Sequence, residues 1–210
     1  MQSQCIWDSL ARKYDRLWVQ KYSLEPTRKT VKDALSNHFS NDAFTLLDLG
    51  CGTGQLLSEL QDRHPSCRLL GLDKSPEMIY HAKCRGKDIE LFCLNTDKDD
   101  LSRIVSKGIV NAVVCCHSFP YYMNKKAVLA KIHSILAPRG IAIFVQASIN
   151  NLYDKLILRI VEVTAEKAEY LSREAFLSLS EDLFEITEEY YIHEQFFMPS
   201  ICGFKLRKRT

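Results

Sequence analysis

Ten residues constrain this chain more than any others: Leu46-Leu47-Asp48-Leu49-Gly50-Cys51-Gly52-Thr53-Gly54-Gln55, where an apolar run breaks into three alternating glycines. An apolar run, a glycine loop and then an amphipathic stretch predict a buried strand turning into a helix. Glycine adopts positive φ freely and has no Cβ, so such a loop lets backbone N–H groups come close to a ligand. A second strand-like run, Cys67-Arg68-Leu69-Leu70-Gly71-Leu72-Asp73, ends in an acid 19 positions past Gly54. At that spacing a strand-end carboxylate meets a ribose diol in nucleotide-binding folds.

The glycine pattern narrows the nucleotide. A dinucleotide fingerprint needs glycine or alanine three positions after its second glycine, where close helix packing leaves room for a pyrophosphate. Gln55 stands there instead. With Asp48 two residues ahead of Gly50, the run resembles the D-x-G-x-G-x-G motif of class I S-adenosylmethionine-dependent methyltransferases, matched by Asp48, Gly50, Gly52 and Gly54. Asp73 is similar to that family's ribose-binding acid, and Asp97, followed by Leu101, to the acid facing the adenine amino group. Leu136-Ala137-Pro138-Arg139-Gly140 resembles its L-x-P-G-G turn before the fifth strand, with Arg139 replacing a glycine, and Asn111 stands where many members carry aspartate. Tyr14-Asp15 resembles a Y-D pair whose tyrosine closes over the cofactor. The resemblance implies S-adenosyl-L-methionine as cofactor, held by Tyr14, Asp48, Gly50, Cys51, Gly52, Thr53, Gly54, Asp73, Lys74, Met78, Thr96, Asp97 and His117.

Short apolar strands expected near 44–49, 68–73, 89–94, 110–116 and 141–146 alternate with helices near 54–63, 76–84, 98–106 and 125–136. That order implies a doubly wound α/β sheet, mostly parallel and Rossmann-like. Ile6, Leu10, Tyr14, Leu17 and Trp18 fall at helical spacing, and Pro26 marks the start of a second helix running to about His38. Two alternating runs, Leu183 to Phe197 and Ile201 to Lys208, predict an antiparallel hairpin completing seven strands. Between them and the fifth strand, Leu152, Leu156 and Ile160, with Ile157 and Val161, follow helical spacing, as a core helix or as a cap over substrate. At 210 residues and 46% hydrophobic content, one domain is expected. Its parts are an N-terminal helical cap (1–40), a cofactor-binding core (41–148), a helical cap insertion (149–180) and a C-terminal β-hairpin (181–210).

A net charge of +2 is too balanced to argue for nucleic acid. The eight cysteines form no C-x-x-C pair, and neither a signal-peptide h-region nor a membrane-length apolar run occurs. A cytoplasmic, metal-free protein with no membrane or nucleic-acid partner, as monomer or homodimer, is the expectation. Cys115 and Cys116 lie in one strand run, so their side chains should point to opposite faces.

Methyl transfer from a sulfonium draws much of its rate from positioning, about 7 to 11 kcal/mol for near-attack geometry. An acceptor that must lose a proton needs a base as well. His117, at the carboxyl end of the expected fourth strand, is the catalytic candidate, with a pocket-wall role as the alternative and His193 a weaker choice. Ser118-Phe119-Pro120-Tyr121-Tyr122 lacks the asparagine of the N-P-P-Y segment found in amino-group methyltransferases, so Tyr121 and Tyr122 are expected to line a substrate pocket. The sequence thus points to methylation of a small molecule. A non-catalytic S-adenosylmethionine-binding partner or sensor, or a protein or RNA methyltransferase, is the alternative.

Overall fold

The computed structural model describes residues 6–40, 42–106, 108–164, 168–192 and 198–209. Seven strands form one sheet: β1 (Thr45–Leu49), β2 (Arg68–Asp73), β3 (Glu90–Cys93), β4 (Val110–Cys116), β5 (Leu136–Ala147), β6 (Phe184–Ile192) and β7 (Ile201–Lys208). Their order is β3-β2-β1-β4-β5-β7-β6, with β1 to β5 parallel and β7 antiparallel to both neighbours. The helices are α1 (Ile6–Tyr14), α2 (Glu25–Phe39), α3 (Gln55–Arg63), α4 (Pro76–Lys83), α5 (Lys125–Ile135), α6 (Leu152–Thr164) and α7 (Arg173–Ser180).

Successive strand side chains point to opposite faces, so β1 sends Leu46 to one core and Leu47 and Leu49 to the other. Val31 and Leu35 of α2 with Leu56, Leu57 and Leu60 of α3 cover the first core. Val128, Leu129 and Ile132 of α5 with Phe176 of α7 cover the second. Cys115 joins the second core and Cys116 packs against the first, the alternation expected of a strand. Asn111 accepts the Thr45 N–H at 2.8 Å, so an amide binds the start of β1 to β4.

Four expectations are corrected. No helix spans 98–106; only a 3₁₀ turn forms at Leu101–Arg103, because Asp99 and Asp100 spend their carboxylates on the backbone N–H groups of Asn95 and Ser102. Helical backbone precedes Pro26, through a π turn at Gln20–Leu24 that runs directly into α2. Residues 136–140 are the irregular first part of β5, where the register against β4 shifts between Val110 and Ala112. Arg139 there adopts the left-handed φ of 62° natural to the glycine it replaces. Finally, α6 buries Asp154 and Leu158 and leaves Leu152 and Leu156 outside, so the first two turns of that stripe are not core; the side chains of Ile160 and Val161 lie outside those described. Asp154 is retained inside because its carboxylate accepts the N–H groups of Asn150 and Ser200, at 3.1 and 2.9 Å. The second hairpin strand falls between β5 and β6, which leaves β6 at the edge; His193 and the expected strand end to Phe197 lie outside the described residues.

Candidate active site

The glycine loop leaves the carboxyl end of β1 and is fastened to the end of β2, where Leu72 O accepts the N–H groups of Gly50 and Cys51 at 2.8 and 3.0 Å. Gly50 has φ 75°, and a Cβ there would lie 2.4 Å from Ser118 Cβ, so no side chain fits. Ser118 is fixed in turn by donating its hydroxyl to Leu49 O at 2.5 Å.

Asp73 closes the loop from the side. Its carboxylate accepts the Gly52 N–H at 3.0 Å and the Ser75 N–H at 2.9 Å. Burial raises its pKa, and those two backbone donors oppose the rise. A carboxylate has about four lone-pair sites, so two such bonds leave capacity for a diol. Ser75 also caps α4 by accepting the N–H of buried Met78 at 3.1 Å. Lys74 is exposed beside this acid and lowers its pKa.

A cap built from α1 lies over the loop. The Tyr14 ring stands above Gly52, 3.7 Å from where a Cβ would be. Asp15 accepts the Thr53 hydroxyl at 2.6 Å and pairs with Arg85, which donates to Thr53 O at 2.5 Å. Ser75 donates its hydroxyl to Asp8 at 2.5 Å. Trp7 meets the edges of Tyr14 and Tyr121, with ring centroids 6.3 and 5.1 Å apart, so Tyr14 packs on Trp7.

Beneath Tyr14 is a cavity of ≈ 50 Å³ whose walls include Thr27, Arg28, Asp48, Gly50, Cys116 and His117. Asp48 is 2% exposed, and its Oδ1 has no hydrogen-bond partner among the described residues. Burial, reinforced by the nearby Asp73, pushes its pKa up to about 8. Arg28, from α2, donates to Glu59, Gln20 and Gln55 at 2.8, 3.0 and 2.9 Å, which aims its guanidinium at the wall beside the loop. His117 follows β4 with a left-handed φ of 57°, donates its N–H to Val145 O at 2.7 Å, and sits 2.9 Å from Thr27 Oγ1 through Nε2. Burial lowers its pKa to about 4, so the imidazole is neutral at physiological pH.

Tyr14, Asp48, Gly50, Cys51, Gly52, Thr53 and His117 therefore share one cavity wall. Thr96 and Asp97 do not line it. Asp97 accepts the N–H groups of Met123 and Asn124 at 3.0 and 3.1 Å, holding the loop after β3 to the start of α5. Lys131 reinforces that junction by donating to the carbonyls of Thr96, Asp97 and Asp99. The Tyr122 hydroxyl is buried beneath Gly50 rather than presented outward, and Tyr121 Oη lies 3.5 Å from Tyr170 Oη under Trp7.

Residues 46–140 match the methyltransferase domain family. Those residues, just under half of the chain, are similar to a methyltransferase domain. It is 30% identical over 107 residues to a malonyl-[acyl-carrier protein] O-methyltransferase of Acetivibrio thermocellus, covering 50% of this chain and 36% of that one. It is 28% identical over 95 residues to a demethylmenaquinone methyltransferase of Thermus thermophilus, covering 45% and 43%. The matches thus span well under half the length of these curated relatives. The N-methyltransferase NodS of Bradyrhizobium japonicum, solved with S-adenosyl-L-homocysteine, superposes with a TM-score of 0.73 at 19% identity over 97% of this chain and 98% of that one. The fold also brings Thr27, Arg28 and Gln55 to the cavity, none of them expected from the sequence as site residues. No local motif marks Thr27 or Arg28; they arrive because α2 packs over β4 and β5, with Thr27 reaching His117.

Proposed function

We infer that the protein transfers the methyl group of S-adenosyl-L-methionine to a small-molecule acceptor. The observation that carries this reading is the buried Asp48 carboxylate, one oxygen unpaired, at the root of a glycine loop whose far side is closed by Asp73. An unpartnered buried acid is costly, and a cationic amino group is the partner that relieves it. The donor set fits the cofactor at both ends: Arg28 for its carboxylate, Asp48 for its ammonium, Asp73 for the ribose diol. Met78, Thr96 and Asp97, with Lys74 outside them, belong to the adenine end. When bound, S-adenosylmethionine supplies an electrophilic methyl group on a sulfonium.

The chain's own residues bind, orient and exclude water. Tyr14 and the Asp15, Thr53 and Arg85 cluster seal the loop from solvent. His117 holds the cavity wall through Thr27, and its lowered pKa makes it a weak base, so positioning is its main contribution. Tyr121, beside Trp7 at the rim, faces the acceptor. The curated relatives are named for malonyl-[acyl-carrier protein] and for demethylmenaquinone, and the second of these supports a small organic substrate.

The test is transfer of labelled methyl from S-adenosylmethionine to a fractionated extract. The expected result is label in the small-molecule or lipid-soluble fraction, lost in Asp73→Asn. Label confined to protein or RNA would contradict the acceptor class.

A further inference from the structure

The outer side of the α1 cap and the exposed stripe of α6 serve no role in holding the cofactor. Both stand at the edge of the sheet where β1, β4 and β5 end and the site lies. On the cap, Arg12, Lys13, Arg16 and Lys21 are exposed around Trp18, which is 60% exposed. Arg12, Lys13 and Arg16 form no ion pair among the described residues, and Lys21 lies over the Tyr22 ring at 5.4 Å. The acids of the same segment are already engaged: part-buried Asp8 accepts from Ser75, and exposed Asp15 pairs with Thr53 and Arg85. With Asp15 paired to Arg85 and only Glu25 exposed against four exposed cations, the outward charge of this segment is positive.

On α6, Leu152 is 86% and Leu156 61% exposed, with Tyr153 half out beside them and Lys155 and Arg159 exposed on the same helix. Met123, in the loop before α5, is also exposed. Large apolar groups gathered on one edge and rimmed by cations mark an interaction surface. A tryptophan among lysines and arginines, with a leucine stripe at the same end of the sheet, suits the headgroup boundary of a bilayer, where the indole and leucines enter and the cations meet lipid phosphates. An acidic protein would satisfy the charges but leave the leucine stripe without a matching apolar layer.

We propose that this edge docks on an anionic lipid surface, placing the mouth of the site where an acceptor dissolved in the bilayer reaches it. The docking stands on the surface residues alone; the acceptor's origin rests on the methyl-transfer reading. No helix among the described residues is long and apolar enough to cross a membrane, so the attachment is peripheral.

The experiment is co-sedimentation of the protein with vesicles of phosphatidylglycerol and phosphatidylcholine, against phosphatidylcholine alone, at low and high salt. Expected is about a hundredfold stronger partitioning onto the anionic vesicles, falling at least about tenfold at high salt. The exposed double variants Trp18→Ser/Leu156→Ser and Arg12→Glu/Arg16→Glu should each lose most of it. Calorimetric binding of S-adenosylhomocysteine should be unchanged in both, which also shows that they fold. Absence of partitioning by the wild type, or equal partitioning by the variants, overturns the docking. Self-association through this edge, with vesicles ignored, overturns it as well. If the wild type ignores S-adenosylhomocysteine yet binds vesicles, the methyl-transfer reading fails while the docking stands.

Discussion

Replacing Asp48 with asparagine tests the centre of the site, because the substitution keeps the shape and removes the titration. Burial holds the Asp48 pKa near 8, against 3.8 for a free carboxyl. Between those values the unfolded chain gives up a proton that the folded chain keeps, so the folded state loses stability as pH rises through the window. At pH 7 the penalty is about 3 pH units at 1.36 kcal/mol each, or about 4 kcal/mol. Asparagine does not titrate. Asp48→Asn and wild type should therefore have similar stability near pH 4, and the variant should gain steadily until it leads by about 4 kcal/mol at pH 7, or roughly 10 °C in Tm for a chain of this size. Thermal melts followed by circular dichroism across that range measure the gap. If its ammonium pairs with the ionised carboxylate as proposed, S-adenosylhomocysteine should close much of it by stabilising the wild type more than the variant. Parallel melting curves, with the same difference at both ends of the pH range, would refute the argument that Asp48 is an unpaired buried acid.

Further outcomes follow from the same geometry. Gly50→Ala sets a Cβ against Ser118 at a φ of 75° and should cost about 3 kcal/mol or more, read as a lower midpoint in urea. Asp73→Asn should weaken S-adenosylhomocysteine binding by about 10- to 100-fold in calorimetry, through loss of charge-assisted bonds to the ribose. Asp97→Ala leaves the N–H groups of Met123 and Asn124 without their acceptor and should lower stability by about 2 kcal/mol in denaturant titration. The low pKa of His117 means that stability it supports is present above about pH 6.5 and declines as pH falls toward 4, where the unfolded imidazole takes a proton and the folded one does not. His117→Gln, which keeps a polar group for Thr27, should flatten that acid limb without abolishing cofactor binding.

The parallel core and its loop were legible because period and punctuation agree there. The apolar runs around Leu47, Leu70, Val113 and Ile143 are too short for helices, and Gly50, Gly52 and Gly54 end the first of them. Asp73 was legible by spacing from that loop. The helix expected near 98–106 failed because three consecutive polar residues, Lys98, Asp99 and Asp100, offered local side-chain bonds that compete with helical ones. The α6 stripe gave the helix but left core and cap both open, because periodicity reports that a face is apolar and not what the face meets; Asp154 and Leu158 took the inner side through tertiary bonds no local pattern records. Arg28 was invisible for a related reason. Its partners Glu59, Gln20 and Gln55 lie 31, 8 and 27 residues away, and only folding gathers them.

The central claim is a cofactor site for a sulfur nucleoside, and parallel calorimetric titration of the purified protein with S-adenosylmethionine, S-adenosylhomocysteine and NADH tests it most directly. Saturable binding of both sulfur nucleosides, with no heat from NADH, is the predicted result. Preference for NADH, or no binding of any of the three, would contradict it.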